Sequence, residues 1–238
     1  MLLSVLLICV GGVSAVDNVN EGPSLFLKQA SGAGEGIADY QVNPLQAFPM
    51  PQLSNPFGRV DTVKELITEK YLGRWYLMYG SVASQIITGN LDCQTADYSM
   101  RMDERIGVVN TGVDRDGKLT QIKGYAYTPD PNEPGALKVS LGGVPVDGDY
   151  DIVQLGPFGS DGKYEWAIVT DEFEVSLFVL GRDVQTFKDT FEKDVLDACA
   201  TLGFTRPWNR PIPIKQGSGC EYAPLPPPEG AEGGQMYV

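Results

Sequence analysis

Between residues 73 and 182 apolar and polar positions alternate in eight short runs. They are GRWYLMYGSVA (73–83), DCQTADYSMRM (92–102), RIGVVNTGV (105–113), KLTQIKGYAYT (118–128), ALKVSLG (136–142), DYDIVQL (149–155), YEWAIVT (164–170) and EVSLFVLGR (174–182). A period of two over such lengths marks a strand with one buried face. One face of the second run carries Ala96, Tyr98 and Met100, one face of the fourth Ile122, Gly124 and Ala126, and one face of the fifth Leu137, Val139 and Leu141. Asp114 to Gly117, in DRDG, is a hairpin turn, and the other links are short and mostly hairpin-like. Just before the first run, VDTVKELITEKYL reads as a short helical turn.

After the eighth run the period changes. In DVQTFKDTFEKDVLDACATLGF, Phe187, Phe191, Val195, Ala198, Cys199 and Leu202 form one apolar stripe at helical spacing, and Gly203 is a C-terminal stop. One helix cannot fill the interior of a sandwich, but it can cover the outside of a closed barrel. The expected fold is therefore all-β: an eight-stranded up-and-down antiparallel barrel with one C-terminal α-helix packed outside. Such an interior holds either side chains or one small ligand. The inward positions Ala96, Val108, Gly124 and Ala126 are small for a core and favour a cavity, although small residues also suit a barrel's taper.

The flanks read differently. Residues 1–15, MLLSVLLICVGGVSA, form a short apolar run with small residues at 13 and 15, as in a cleaved signal peptide, but without an early Lys or Arg. A short anchor or a buried strand is the other reading. Residues 16–58 are rich in Gly, Pro, Asn and Gln and read as an irregular arm; 59–222 is the globular part; 223–238 is a Pro/Gly-rich tail. The expected location is secreted and extracellular.

Composition removes whole classes of function. The 238 residues include no histidine, which excludes a Ser-His-Asp triad, a Cys-His pair and His-ligated metals. A net charge of −13 argues against nucleic acid. SGAGEG (31–36) follows no strand and lacks the Lys-Ser/Thr of a phosphate loop, and no cofactor is implied. Cys9 leaves with the signal, so Cys93, Cys199 and Cys220 remain; one bridge and one leftover thiol can be arranged in three ways.

Gly73-x-Trp75 at the start of the first strand resembles the Gly-x-Trp signature of the lipocalin family. CQTADYSM, GALKVS, LGF after the helix and GCEY near the end are similar to the branch holding apolipoprotein D and the bacterial lipocalins. The resemblance implies that a helical turn plugs one end of the barrel, with Trp75 there and Arg182 stacked across it. The family's Thr-Asp-Tyr segment is represented only by Asp161 to Tyr164 within a longer loop. The resemblance further implies a Cys93–Cys220 disulfide, with Cys199 either a buried helix thiol or a link to another chain; a Cys93–Cys199 bridge is the rival pairing. Carried over residue by residue, Tyr98, Asn110 and Phe178 match pocket positions, with Val108 and Met100 adding contact area. Tyr98 and Asn110 would orient a polar end of the ligand. Tyr98 and Phe178 also fit ordinary barrel core, and Tyr164 and Trp166 an outward face under the helix.

The implied function is a secreted carrier of a small hydrophobic molecule: a lipid, sterol, retinoid, carotenoid or bilin. Membrane contact would be at most peripheral, and the protein a monomer or dimer. Two alternatives stand beside it. One is an enzyme in the same cup, acting on a lipid or carotenoid through a cysteine or carboxylates. The other is an interaction module using the arm or the tail.

Overall fold

Alternation lets each strand bury one side chain in two, and short turns make each strand pair with the next. The computed structural model, which describes residues 60–226, shows the outcome. Helical turn α1 (Thr68–Tyr71) leads into β1 (Gly73–Gly80), and helix α2 (Val82–Thr88) links β1 to β2 (Asp92–Met100). Then come β3 (Ile106–Val113), β4 (Leu119–Tyr127), β5 (Ala136–Leu141), β6 (Gly148–Leu155), β7 (Trp166–Thr170) and β8 (Leu177–Gly181). Every sequential pair is antiparallel, and β8 pairs back with β1, so the sheet closes as expected. Closure leaves no edge between β1 and β8 to recruit another chain.

The two faces of this wall bury different cores. Inside, Trp75, Leu77, Tyr98, Val108, Leu137, Ile152 and Leu180 pack together. Outside, Met78, Trp166, Ile168, Val179, Phe187, Val195 and Cys199 form a second core beneath the C-terminal helix. The apolar stripe expected of that helix is the one that is buried. The helix is not continuous, however. Val184–Thr186 (α3) runs through a π-helical turn, Phe187–Phe191, into Glu192–Thr201 (α4). Asp183 caps its start by accepting from the Thr186 amide at 2.7 Å.

The chain after the helix completes the wall in a way the strand pattern did not signal. β1 pairs with β2 only from Gly73 to Tyr76, and Tyr79 and Gly80 pair instead with β9 (Ile212–Pro213). The segment behind β9 lies between the diverging strands. The buried Gln216 side chain donates to the Leu77 carbonyl at 2.9 Å and to the Gln94 carbonyl at 2.8 Å. The Cys93 amide donates to the Lys215 carbonyl. The Cys93–Cys220 disulfide, with Cα atoms 5.4 Å apart, locks the segment in place. The bridge spans 127 residues, and a loop of that size lowers the entropy of the unfolded chain by an equivalent of roughly 4–5 kcal/mol. The rival Cys93–Cys199 pairing is thereby overturned, since Cys199 is a free, fully buried thiol. The proposed signal, the 16–58 arm and the tail beyond Pro226 lie outside the described residues.

Candidate functional site

The barrel has two unlike ends. At one, α1 crosses the interior and Trp75 is fully buried. Its indole N–H donates to the Tyr71 carbonyl at 2.8 Å. The Arg182 guanidinium lies 3.6 Å from the Trp75 ring centroid. It donates to the carbonyls of Tyr164 (3.0 Å), Arg74 (2.9 Å), Lys70 (3.0 Å) and Tyr71 (2.9 Å). One planar cation thus ties α1, β1 and the β6–β7 loop together, a task that suits Arg's fixed fork of donors. A shielded cation–π pair contributes about 2 kcal/mol. Burial pulls the Arg182 pKa down to about 10, still well above neutrality, so the charge persists. Gly73 has φ +99°, a conformation that side chains rarely adopt, and a β-carbon there would lie 3.4 Å from an Arg182 nitrogen.

Above this plug sits a layer of tyrosines. The Tyr71 and Tyr150 hydroxyls are 2.7 Å apart, and those of Tyr98 and Tyr150 are 2.9 Å apart. The Tyr71 and Tyr98 rings stack with centroids 5.7 Å apart. Tyr98 on β2 and Tyr150 on β6 reach across the barrel to each other, and this bar forms a floor. Burial pushes all three phenols up, Tyr98 to about 12, so they remain neutral donors at ordinary pH. Tyr164 belongs to the same end: it packs at the inner core and its hydroxyl accepts from the Ile67 amide at 3.2 Å. Only Trp166 faces out beneath the helix.

Toward the other end the interior loosens. Ala96, Val139, Leu141 and Phe178 point inward against the core, yet each stays partly exposed. A solid interior would bury them. Their exposure inside a closed wall marks a cup open at the end opposite Trp75. Gly124, however, is not evidence of that cup. A β-carbon at 124 would lie 1.9 Å from the Ser140 carbonyl oxygen, so close approach of β5 requires glycine there whatever fills the barrel.

The residues singled out from sequence fall into three places. Tyr98 and Val108 stand directly opposite each other across β2 and β3, both buried, in the inner core. Asn110 pairs with Ala96, one inward position nearer the open end, and its Oδ1 is buried with no hydrogen-bond partner. Phe178 faces inward on β8 beside Gly80. Met100 does not join them. It is the last residue of β2, two positions beyond the Tyr98–Gly73 pair at the plugged end, and it is 43% exposed. Alternation alone placed it with Tyr98, because parity says which face a residue takes but not where the floor cuts across. Tyr98 is also spoken for differently from expectation, since its hydroxyl bonds Tyr150. Sequence reasoning missed Tyr71 and Tyr150. The alternation of Tyr150 with Ile152 in DYDIVQL was the available signal.

A closed antiparallel barrel plugged at one end, with partly exposed inward side chains toward the other, has the form of a single-mouthed cup. The chain matches the family model of the lipocalin-like domain over residues 66–207 and belongs to the lipocalin family. It is 33% identical over 159 residues to the outer membrane lipoprotein Blc of Citrobacter freundii, covering 66% of this chain and 83% of that protein. Apolipoprotein D of Mus musculus is 37% identical over 73 residues, or 31% of this chain and 37% of that protein. Among solved structures, the allergen Per a 4 from cockroaches aligns with a TM-score of 0.48 at 15% identity, over 67% of this chain and 95% of that one.

Proposed function

We propose that this lipocalin is a secreted carrier that holds a small hydrophobic molecule in the open half of its barrel. The observation that carries the reading is the set of inward apolar side chains, Ala96, Val139, Leu141 and Phe178, that the closed wall leaves partly exposed. Covering such surface releases about 25 cal/mol per Å² before ordering costs. Phe178 and Val108 supply apolar contact, Tyr98 belongs to the floor, and Asn110 offers a polar point above it. Exposed apolar residues stand at both ends of the barrel: Val82, Ile86, Leu119, Val146 and Phe173 lie in or beside loops at the open end, and Ile67, Met100, Met102 and Phe158 lie at the plugged end, so the inward side chains and not the rim carry the reading. A disulfide across the wall fits an oxidising compartment.

The thiol-enzyme alternative loses its nucleophile among the described residues. Cys93 and Cys220 are bonded to each other, and burial pushes the Cys199 thiol up to about 12. Two carboxylates in turns, Asp103 and Asp171, also have structural work. Asp103 is held down to about 2 by hydrogen bonds from Arg105 and Arg101, and Asp171 accepts from the amides of Phe173, Val175 and Ser176.

The test is saturable binding of the neutral fluorophore N-phenyl-1-naphthylamine by the full-length protein and by Ala96→Trp. An indole at 96 fills the cup from an inward position. The wild type should bind with one-to-one stoichiometry and Ala96→Trp should not, with both giving the same far-UV spectrum. Equal binding by the two would place the fluorophore outside the barrel and sink the reading.

A further inference from the structure

We infer that the cup selects a neutral molecule carrying an oxygen acceptor, such as a ketone, and that the Tyr150 hydroxyl is the donor that grips it; this rests on the carrier reading above. The first argument is a hydrogen count. Tyr71, Tyr98 and Tyr150 bring three hydroxyl hydrogens, one each. The cluster contains two hydrogen bonds, Tyr71 to Tyr150 and Tyr98 to Tyr150. Whatever their direction, one O–H has no acceptor within the cluster. Tyr71 and Tyr98 are buried at 2% and 8% exposure, whereas Tyr150 is only partly buried, and it is the central member. With both neighbours donating to it, Tyr150 uses its two lone pairs and turns its own hydrogen toward the cup. An unmatched donor at the bottom of an apolar cup favours a guest that brings an acceptor.

The second argument is the absence of compensating charge. Arg74, Asp97, Lys123, Lys138, Asp149 and Asp151 all take register positions on the outer face, opposite in parity to Trp75, Tyr98, Ile122, Val139, Tyr150 and Ile152. Asp92, the other charged strand residue, is exposed at the start of β2. The nearest interior cation, Arg182, lies beneath the indole with four of its N–H bonds given to carbonyls. A carboxylate brought onto the floor would be a buried, unpaired charge, which is costly. The rim opposes anions as well: the β3–β4 and β7–β8 links carry Asp114, Asp116, Asp171, Glu172 and Glu174 against Arg115 and Lys118. A cationic amine gains from that rim but finds no carboxylate inside. Above the floor, Asn110 is a second neutral group; its Oδ1 accepts and so cannot serve the guest's oxygen, and it is the amide N–H, in whichever orientation the amide takes, that donates to that oxygen.

The experiment displaces N-phenyl-1-naphthylamine from the full-length protein with 2-dodecanone and with dodecanoate, two guests of equal chain length that differ in the polar end. The ketone should displace the fluorophore at a concentration at least about tenfold below dodecanoate. Tyr150→Phe should weaken the ketone by about three- to tenfold, the range of one hydrogen bond. Tyr125→Phe removes a hydroxyl from the outer face of β4, opposite in parity to Gly124 and Ala126, and should keep the ketone's advantage. The infrared carbonyl stretch of the bound ketone should lie at the lower frequency of a hydrogen-bonded carbonyl, and should move to that of a free one in Tyr150→Phe. If that variant does not fold, the stretch in the wild type decides alone: a free carbonyl overturns the inference. Dodecanoate displacing as well as the ketone overturns it too and leaves the carrier reading standing. Failure of the wild type to bind the fluorophore removes both.

Discussion

The plugged end and the open half of this barrel are built from the same eight strands and obey opposite rules. Around Trp75 and Arg182, donors are matched: the indole N–H, four guanidinium N–H bonds and the Ile67 amide all reach an oxygen. At the tyrosine floor one O–H lacks an acceptor within the cluster, and beyond it Asn110 Oδ1 is buried alone and Phe178 and Leu141 stay partly exposed. A wall under uniform selection for stability would close both ends alike. The contrast shows where the chain gives up local satisfaction, and such places are where function is expected.

The largest way to break this comparison is to remove one large side chain from each half. Trp75→Ala deletes a fully buried ring in a rigid plug and strips the stacking partner from Arg182. It should cost about 3–5 kcal/mol, seen as a fall in the urea midpoint at unchanged slope. Phe178→Ala cuts a ring that already borders open space, so little new void is made, and the loss should be well under half as large. Equal losses would mean that the upper interior is as solid as the plug.

Much of this division was legible in the chain. Gly73-x-Trp75 and Arg182 marked the plugged end through their resemblance to the lipocalin signature, which carries that geometry; the alternation of the strand alone does not. Period-two runs separated by turn residues fixed strand number and order, and the period change fixed the helix. What stayed hidden depends on long-range register. The floor is made by Tyr71, Tyr98 and Tyr150, which are distant in sequence and meet only because β2 and β6 face each other across the barrel. Met100 was assigned by parity to an interior whose boundary parity does not encode. Gly124 was taken as a sign of space, whereas a neighbouring carbonyl demands it. The C-terminal segment between β1 and β2 has no periodicity to read, since a two-residue strand and one glutamine do the work. No residue type in FKDTF signals the π turn.

Alkaline titration sharpens the comparison at the floor. Burial raises the folded pKa of Tyr98 from the ordinary 10.0 to about 12 and those of Tyr71 and Tyr150 upward as well. A raised folded pKa means that the native state holds its protons longer than the unfolded chain. The stabilisation is complete below about pH 10 and is lost as pH climbs through the folded value near 12. For Tyr98 alone the loss approaches about 3 kcal/mol. Phenolate absorbance should therefore rise in two phases, with the second coinciding with the loss of near-UV dichroism. A single phase centred on the ordinary tyrosine value, with dichroism intact, would mean that the floor is wet and the hydroxyl cluster open.

The smallest effect is the most telling, because its sign differs between the two halves. Replacing a matched polar group at the plugged end must destabilise, since its partners are left behind. Asn110→Leu should do the reverse. It exchanges a buried acceptor that has no partner for an apolar side chain of similar size, and relieving one such group is worth about 1 kcal/mol in favour of the fold. The same exchange removes the polar contact above the floor, so binding of an oxygen-bearing guest should weaken while a pure hydrocarbon gains. Stability is read from the urea midpoint and binding from fluorophore displacement on the same protein. A destabilised Asn110→Leu would mean that this amide does structural work in the wall, and the open half would then be satisfied in the same manner as the plug.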